Sequence, residues 1–352
     1  MGFAPYVRAA QRAAQRNYFF DRLPAAAQDA VPSFVPITAT GGNTETTVPI
    51  DGRDYRVHTF LTSGTFEVTD LGTEGTVEYL VVAGGGAGGS GLGGGGGAGG
   101  LLTNVGSEKM SVTLGSHPTT VGEGGVTQTL RALGTNGGDS AFLSITASGG
   151  GAAGAHRDFN GTGEPFPRTG GSGGGAGQDF AASNGVVEGA SGIAGQGTSG
   201  GDGVKFGVGD ESDTQVWRGG GGGGAGGAGL DAYSSPGDGG DGLLVDIDGN
   251  NLFWGGGGGG CSFKGNTGSG SGGMGGGGGG SATQQTGSSP PGSGGGGGLN
   301  TGENGFVGSD RRGGDGGANT GGGGGGSSWD TARGGNGGSG IVIVRYPLTA
   351  AA

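Results

Sequence analysis

The sequence predicts a mainly β protein. Small β-sandwich-like strands close a glycine-rich domain of packed polyglycine II helices, and a short α-helix precedes them. Three observations predict this. The chain of 352 residues holds 106 glycines, with six homoglycine runs at Gly93–Gly97, Gly219–Gly224, Gly255–Gly260, Gly275–Gly280, Gly294–Gly298 and Gly321–Gly326. Two apolar runs bracket that region, Val77-Glu78-Tyr79-Leu80-Val81-Val82 before it and Ile341-Val342-Ile343-Val344-Arg345-Tyr346 after it. The first residues instead read as alanine, glutamine and arginine, which favour helix.

The glycine runs need a source of order. Glycine loses more backbone freedom on folding than alanine, roughly 0.5–1 kcal/mol per residue. Over the whole chain that is on the order of 50–100 kcal/mol. Gly/Ser-rich segments are commonly flexible linkers. A linker, however, requires neither uniform runs of five or six glycines, nor tryptophans in the loops between them, nor strands at both borders. The ordered alternative is the extended helix with three residues per turn and no internal hydrogen bonds. Lacking Cβ, such helices can lie side by side and bond laterally through their free N–H and C=O groups. At ~3.1 Å per residue a run spans roughly 16–19 Å. Collagen is excluded, because 12 prolines and no sustained Gly-X-Y period are present.

Four segments follow in order. Residues 1–36 form an attachment segment. Pro5 suits a first helical turn, and Arg8, Arg12 and Arg16 repeat every four residues as a basic stripe, followed by Phe19 and Phe20. Residues 37–83 alternate with period two, as strands do. Asp54–Leu61 and Thr65–Thr69 are strands joined by a turn at Thr62-Ser63-Gly64, and Val77–Val82 is apolar throughout, as in a strand buried on both faces. Residues 84–340 are the glycine-rich domain. Short strands are expected inside it at Met110–Leu114, Ala141–Ala147, Leu243–Ile247 and Leu252–Trp254. Residues 341–352 supply the closing strand, which is expected in the same β-structure as Val77–Val82.

Composition limits the function classes. Net charge is −12, from 17 basic and 29 acidic residues, which argues against nucleic-acid binding and against adhesion to anionic membranes. One cysteine cannot form an intrachain disulfide, and no run approaches the length of a membrane-spanning helix. Gly-x-Gly-x-x-Gly recurs by composition alone, and no Gly-Lys-Ser/Thr exists to form a phosphate loop. Asp246-Ile247-Asp248-Gly249-Asn250 starts like a calcium loop but lacks the glycine and the glutamate at their positions, so it reads as a turn. His58, His117 and His156 have no metal-ligand spacing. Gly268-Ser269-Gly270-Ser271-Gly272 lies in a glycine/serine tract without the strand-to-helix context of a nucleophile elbow. No enzyme activity, cofactor or metal is expected.

The loop aromatics remain. Phe159, Phe180, Phe206, Trp217, Tyr233 and Trp329 lie between the runs, on or beside polar loops. Each can cap the end of a glycine bundle or, exposed, stack on a sugar or another ligand. They are the receptor-binding candidates. Arg8, Arg12, Arg16, Phe19 and Phe20, basic and apolar on an otherwise acidic chain, are the candidates for docking onto a partner.

The residues Tyr55-Arg56-Val57-His58-Thr59-Phe60, Gly64-Thr65-Phe66, Val77–Gly86 and Gly337–Pro347 together resemble the glycine-rich domain of bacteriophage tail-fibre and adhesin proteins, over about Ile37–Leu348. The resemblance implies a structural virion protein on the tail or capsid surface. Its loops would recognise a host glycan or outer-membrane protein, and its N-terminal segment would join other virion proteins. It implies neither nucleic-acid binding nor membrane insertion, and leaves a homo-oligomer open. A capsid-attached decoration protein, or a non-viral structural or ice-binding glycine-rich protein, is the alternative.

Overall fold

The computed structural model describes residues 33–128, 132–156, 163–179, 185–206, 216–264, 268–283, 289–329 and 332–350, except the side chains at 205 and 206. The chain divides into Met1–Val35 and a compact unit, Pro36–Ala352. All described secondary structure is β and lies in the second unit. The expected N-terminal helix lies outside the described residues. Among those residues no helix is long and apolar enough to cross a membrane.

The early chain builds most of two sheets. Its strands are β1 (Thr38–Thr40), β2 (Thr44–Ile50), β3 (Arg53–Phe60), β4 (Gly64–Asp70) and β5 (Thr76–Val82). They continue as β6 (Leu101–Thr103), β7 (Met110–Ser111), β8 (Gly115–Thr120), β9 (Ser140–Phe142) and β10 (Ile145–Ala147). Further on come β11 (Val186–Val187), β12 (Gly203–Phe206), β13 (Val216–Arg218), β14 (Leu243–Val245), β15 (Leu252–Trp254), β16 (Ser262–Phe263) and the closing β17 (Ile341–Pro347). One sheet has the order β1-β4-β8-β9-β10, the other β2-β3-β17-β5-β6, with β7 pairing off the path with β5. Ala141–Ala147 is a hairpin rather than the single strand expected, because Leu143 takes a left-handed φ of 52° and reverses the chain between β9 and β10.

The bracketing runs pair directly: Ile341 lies opposite Val82 and Arg345 opposite Glu78, antiparallel. Both strands are buried on both faces, which accounts for their unbroken apolar sequence. Val342, Val344 and Tyr346 face the first sheet with Phe60, Phe66, Val68, Val81 and Phe142. Ile341 and Ile343 face the opposite way, toward Val57, Leu80 and Val82, and pack with Val245, Ile247 and Trp254 of the β14–β15 hairpin. Arg345 is the one charge in the closing run. Its Nε donates to Glu78 Oε2 at 2.8 Å and its Nη1 to the Asp246 and Ile247 carbonyls at 2.7 and 3.1 Å. The buried guanidinium thus straps that hairpin to the sheet.

His58 is buried between Phe66, whose ring meets it edge-on at 5.2 Å, and Tyr346, stacked at 5.6 Å. Its Nδ1 reaches the Gly41 carbonyl at 2.8 Å and its Nε2 the Tyr346 hydroxyl at 3.2 Å. The carbonyl can only accept, so Nδ1 carries the proton and Nε2 accepts from Tyr346. Burial holds His58 below its ordinary value of 6.5, so the unfolded chain takes up a proton that the folded one refuses. Stability should therefore be fully present above pH 6.5 and fall as pH drops below it, by at most about 1.4 kcal/mol per pH unit. Thermal melts between pH 8 and 5 should show a smaller decline for His58→Gln than for the parent; equal declines would remove His58 as the source.

The glycine runs form a lattice of rods. Along residues 94–99 the N–H groups address three neighbours in rotation. Gly94 and Gly97 donate to Gly154 and Gly151, Gly95 and Ala98 to Gly220 and Gly223, and Gly96 and Gly99 to Gly324 and Gly321, at 2.8–3.1 Å. The carbonyls of Gly94 and Gly97, Gly95 and Ala98, and Gly93 and Gly96 accept from three others, through Gly89 and Gly86, Gly175 and Ser172, and Cys261 and Gly258. A helix of three residues per turn aims its donors and its acceptors in three directions each, so this rod has six neighbours. Residues 256–261 have the same surroundings, with donors to the segments at 93–96, 237–240 and 275–278 and acceptors from 219–222, 270–273 and 323–326. The partner numbers rise or fall along each pair, so parallel and antiparallel contacts coexist.

Glycine is not required at every facing position. Ala87, Ala98, Ala152, Ala153 and Ala176 are fully buried within rods. Ala98 shows how one fits: its Cβ lies with that of Ala225 beside Gly255, a left-handed residue (φ 72°) opening its own rod. At Ala98 a methyl is thus accommodated where a neighbouring rod begins.

Candidate recognition face

The rods have two ends with different chemistry. The rod at Gly84–Gly89 continues β5, and the last rod, ending at Gly340, leads into β17, so the sandwich closes one end. The turn at Ser90–Leu92 marks the other, distal end. Following the pairing from there, the loops after residues 125, 154, 177, 203, 232, 261, 281, 305 and 327 all emerge distally. The segments carrying Trp217, Tyr233 and Trp329 are among them. Phe159, Phe180 and the side chain of Phe206 lie outside the described residues, as do Arg8, Arg12, Arg16, Phe19 and Phe20. The flanks of Phe159 and Phe180 that are described reach this end: the His156 N–H donates to the Ser90 carbonyl, and Gln178 donates to the carbonyl of Arg218.

A four-stranded sheet, β11-β12-β13-β16, crosses the distal end. Its register sets Trp217 opposite Phe263, and their rings stack at 4.7 Å. Trp329 adds to the stack at 5.5 Å from Phe263. Leu92 and Cys261 lie beneath. Burial pushes the Cys261 thiol up to about 12, so it stays protonated and inert. Trp217 is only 3% exposed: it seals the bundle end and supports what lies above it, the capping role that the sequence also allowed. Trp217→Ala should therefore cost about 3–5 kcal/mol, the scale of a buried aromatic truncation, which chemical denaturation would read directly.

The surface over this cap is aromatic and cationic. Lys264 Nζ stands 5.4 and 5.5 Å from the Trp217 and Phe263 ring centres. Arg311 covers the Trp329 ring at 4.3 Å and Arg312 the Phe306 ring at 4.0 Å. Arg312 also pairs with Glu303 at 3.1 Å, whereas Lys264 and Arg311 meet no carboxylate within salt-bridge distance among the described residues. Tyr233 is 56% and Phe166 58% exposed, and the Tyr233 carbonyl is held by Arg218 Nη1 at 2.6 Å. Ring faces and fixed cations on one surface suit sugar rings and anionic groups. Phe166, like Phe263 and Phe306, belongs to the loop aromatics visible in the sequence, whereas Lys264 and Arg311 are not marked there as site residues. Only the adjacency of Lys264 to Phe263 hinted at this arrangement, and nothing local places Arg311 over Trp329.

At the opposite end a cleft of about 470 Å³ is lined by Asp51, Arg53, Tyr55, Glu78, Asp246 and Arg345, among others. Its two guanidiniums are engaged by the chain's own carboxylates, Arg345 by Glu78 and Arg53 by Glu74 at 3.3 Å.

The family described as a glycine-rich domain matches residues 61–318. No curated protein matches the chain.

Proposed function

This chain belongs to the glycine-rich domain family, and from that premise and the polarity of the fold we propose that it is a structural protein of a bacteriophage particle. It is a tail fibre or adhesin whose distal loops recognise a glycan or outer-membrane protein on the host. One observation carries the reading: the loops that carry Trp217, Tyr233 and Trp329 all emerge at one end, while the chain enters the unit through β1 at the other. A stiff scaffold with variable loops on one face suits recognition. Attachment belongs to the opposite end and to residues 1–36.

Purified full-length chain, added in excess, should slow adsorption of the particle to its host at least severalfold, and Tyr233→Ala should weaken that competition without shifting the melt. Adsorption unaffected by any concentration of the chain would refute the reading. Deleting residues 1–36 should leave the folded unit intact but absent from assembled particles. Normal incorporation of the truncated chain would show that attachment lies elsewhere.

A further inference from the structure

A rod at the edge of the lattice has fewer than six neighbours, so some of its N–H and C=O groups face outward. Unpaired rows of this kind make sheet edges prone to joining another chain. In this protein the outer rods carry a repeated tetrad that the central rods lack. It reads Asn136-Gly137-Gly138-Asp139, Ser199-Gly200-Gly201-Asp202, Asp238-Gly239-Gly240-Asp241 and Asn336-Gly337-Gly338-Ser339.

The spacing of three residues is one turn of the rod, so both polar side chains of a tetrad leave the same side. There they replace the missing neighbour. Asn136 Oδ1 accepts from the Ala152 N–H at 3.0 Å and Asp139 Oδ1 from Gly149 at 2.8 Å. Asp238 Oδ1 accepts from Ser271 at 2.7 Å and Asp241 Oδ1 from Met274 at 2.9 Å. Asp202 and Asn336 do the same for Gly189 and Thr127.

The Asp238–Asp241 tetrad shows what is being covered. It lines a groove of about 380 Å³ between the segments at 227–230 and 271–273. Among the described residues the N–H groups of Asp238 and Asp241 and the carbonyl of Gly239 have no partner. By the six-neighbour rule the donor row and the acceptor row each lack a neighbour, so the groove marks two adjoining lattice positions with no rod in them.

We propose that these outer rods are a latent surface for a rod from a second copy of this chain, and that the Asn/Asp tetrads hold it shut. The occupant follows from the lattice rule: the groove offers backbone groups at three-residue spacing, and the outer rods of this chain present the same spacing. The tetrads act in two ways. Their oxygens occupy N–H groups of the adjoining rod, and the carboxylates of Asp238 and Asp241 repel an equally acidic copy.

The test is the mass of the chain in solution. Asp238→Gly with Asp241→Gly frees Ser271 and Met274 and clears the groove. Sedimentation at matched concentration should then give a mass about twofold that of the parent, as for a paired assembly, with amide exchange at 237–242 slowed on association. Asp238→Asn with Asp241→Asn keeps both acceptors and should sediment like the parent. A glycine variant that melts cooperatively at the parental mass would overturn the proposal. So would an asparagine variant that associates as strongly as the glycine one. If the double glycine variant did not fold, Asp241→Gly alone would carry the same comparison.

Discussion

Gly222→Val should lower stability by a few kcal/mol, at or above the usual range of overpacking. Gly222 lies inside the rod at 219–224 and bonds to two neighbours at once: its N–H donates to Gly258 and its carbonyl accepts from Gly240. A Cβ at this position would fall under 3.0 Å from the carbonyl oxygen and carbon of Gly96, both backbone atoms. No side chain is there to turn aside. Relief requires moving the rod at 93–99, which is bonded on six sides. The matched control is Gly296→Ala. A Cβ there meets nothing within 4 Å and the residue has no left-handed φ, so alanine should be neutral or stabilise by about 0.4–1 kcal/mol through the unfolded state. Denaturant melts of the pair, with amide exchange across Gly219–Gly224, decide the matter. Equal melts for the two variants would mean that the rods are not packed backbone to backbone.

Trp254→Ala should cost about 3–5 kcal/mol. Trp254 is fully buried where the β14–β15 hairpin meets the second sheet, among Val57, Leu80, Val82 and Ile343. Its Nε1 donates to the Val245 carbonyl at 3.2 Å, so truncation opens a cavity and strips a buried acceptor of its donor. Trp254→Phe should recover most of the packing and leave mainly the hydrogen-bond deficit of about 1 kcal/mol. Unfolding melts of the three proteins would test that order. A Trp254→Ala loss under 1 kcal/mol would mean that the hairpin is not a structural lid on the sheet.

Much of the fold was legible because it depends on local rules. That Val77–Val82 and Ile341–Tyr346 share one β-structure followed from two apolar runs with no face left for water. The rods followed from runs in which no residue between the ends carries a Cβ. The hairpin around Asp248-Gly249-Asn250-Asn251 followed from its turn residues. Legibility ended at Leu143, where an apolar residue in an otherwise strand-like stretch takes a left-handed turn. It ended also at the buried alanines such as Ala98, whose methyl fits because a neighbouring rod begins beside it at Gly255. The tetrads were present in the sequence as a period of three, hidden because Asn-Gly and Asp-Gly pairs read first as turns.

The candidate face divides along the same line. The sequence by itself determined that aromatic side chains interrupt the rods and that no long oily core supports them. Only the tertiary structure decided which end of the lattice each loop reaches. A homoglycine run has no direction written in it, and its polarity depends on partners such as Gly95 with Gly220 or Gly96 with Gly324, more than a hundred residues away. The structure likewise decided that Trp217 is a buried cap while Tyr233 stands in solvent. Both have polar sequence neighbours on one side, but β13 draws Trp217 against Phe263 across the end of the bundle, and no strand holds Tyr233. Exposure of a ring is settled by what packs on it, and those neighbours come from distant parts of the chain.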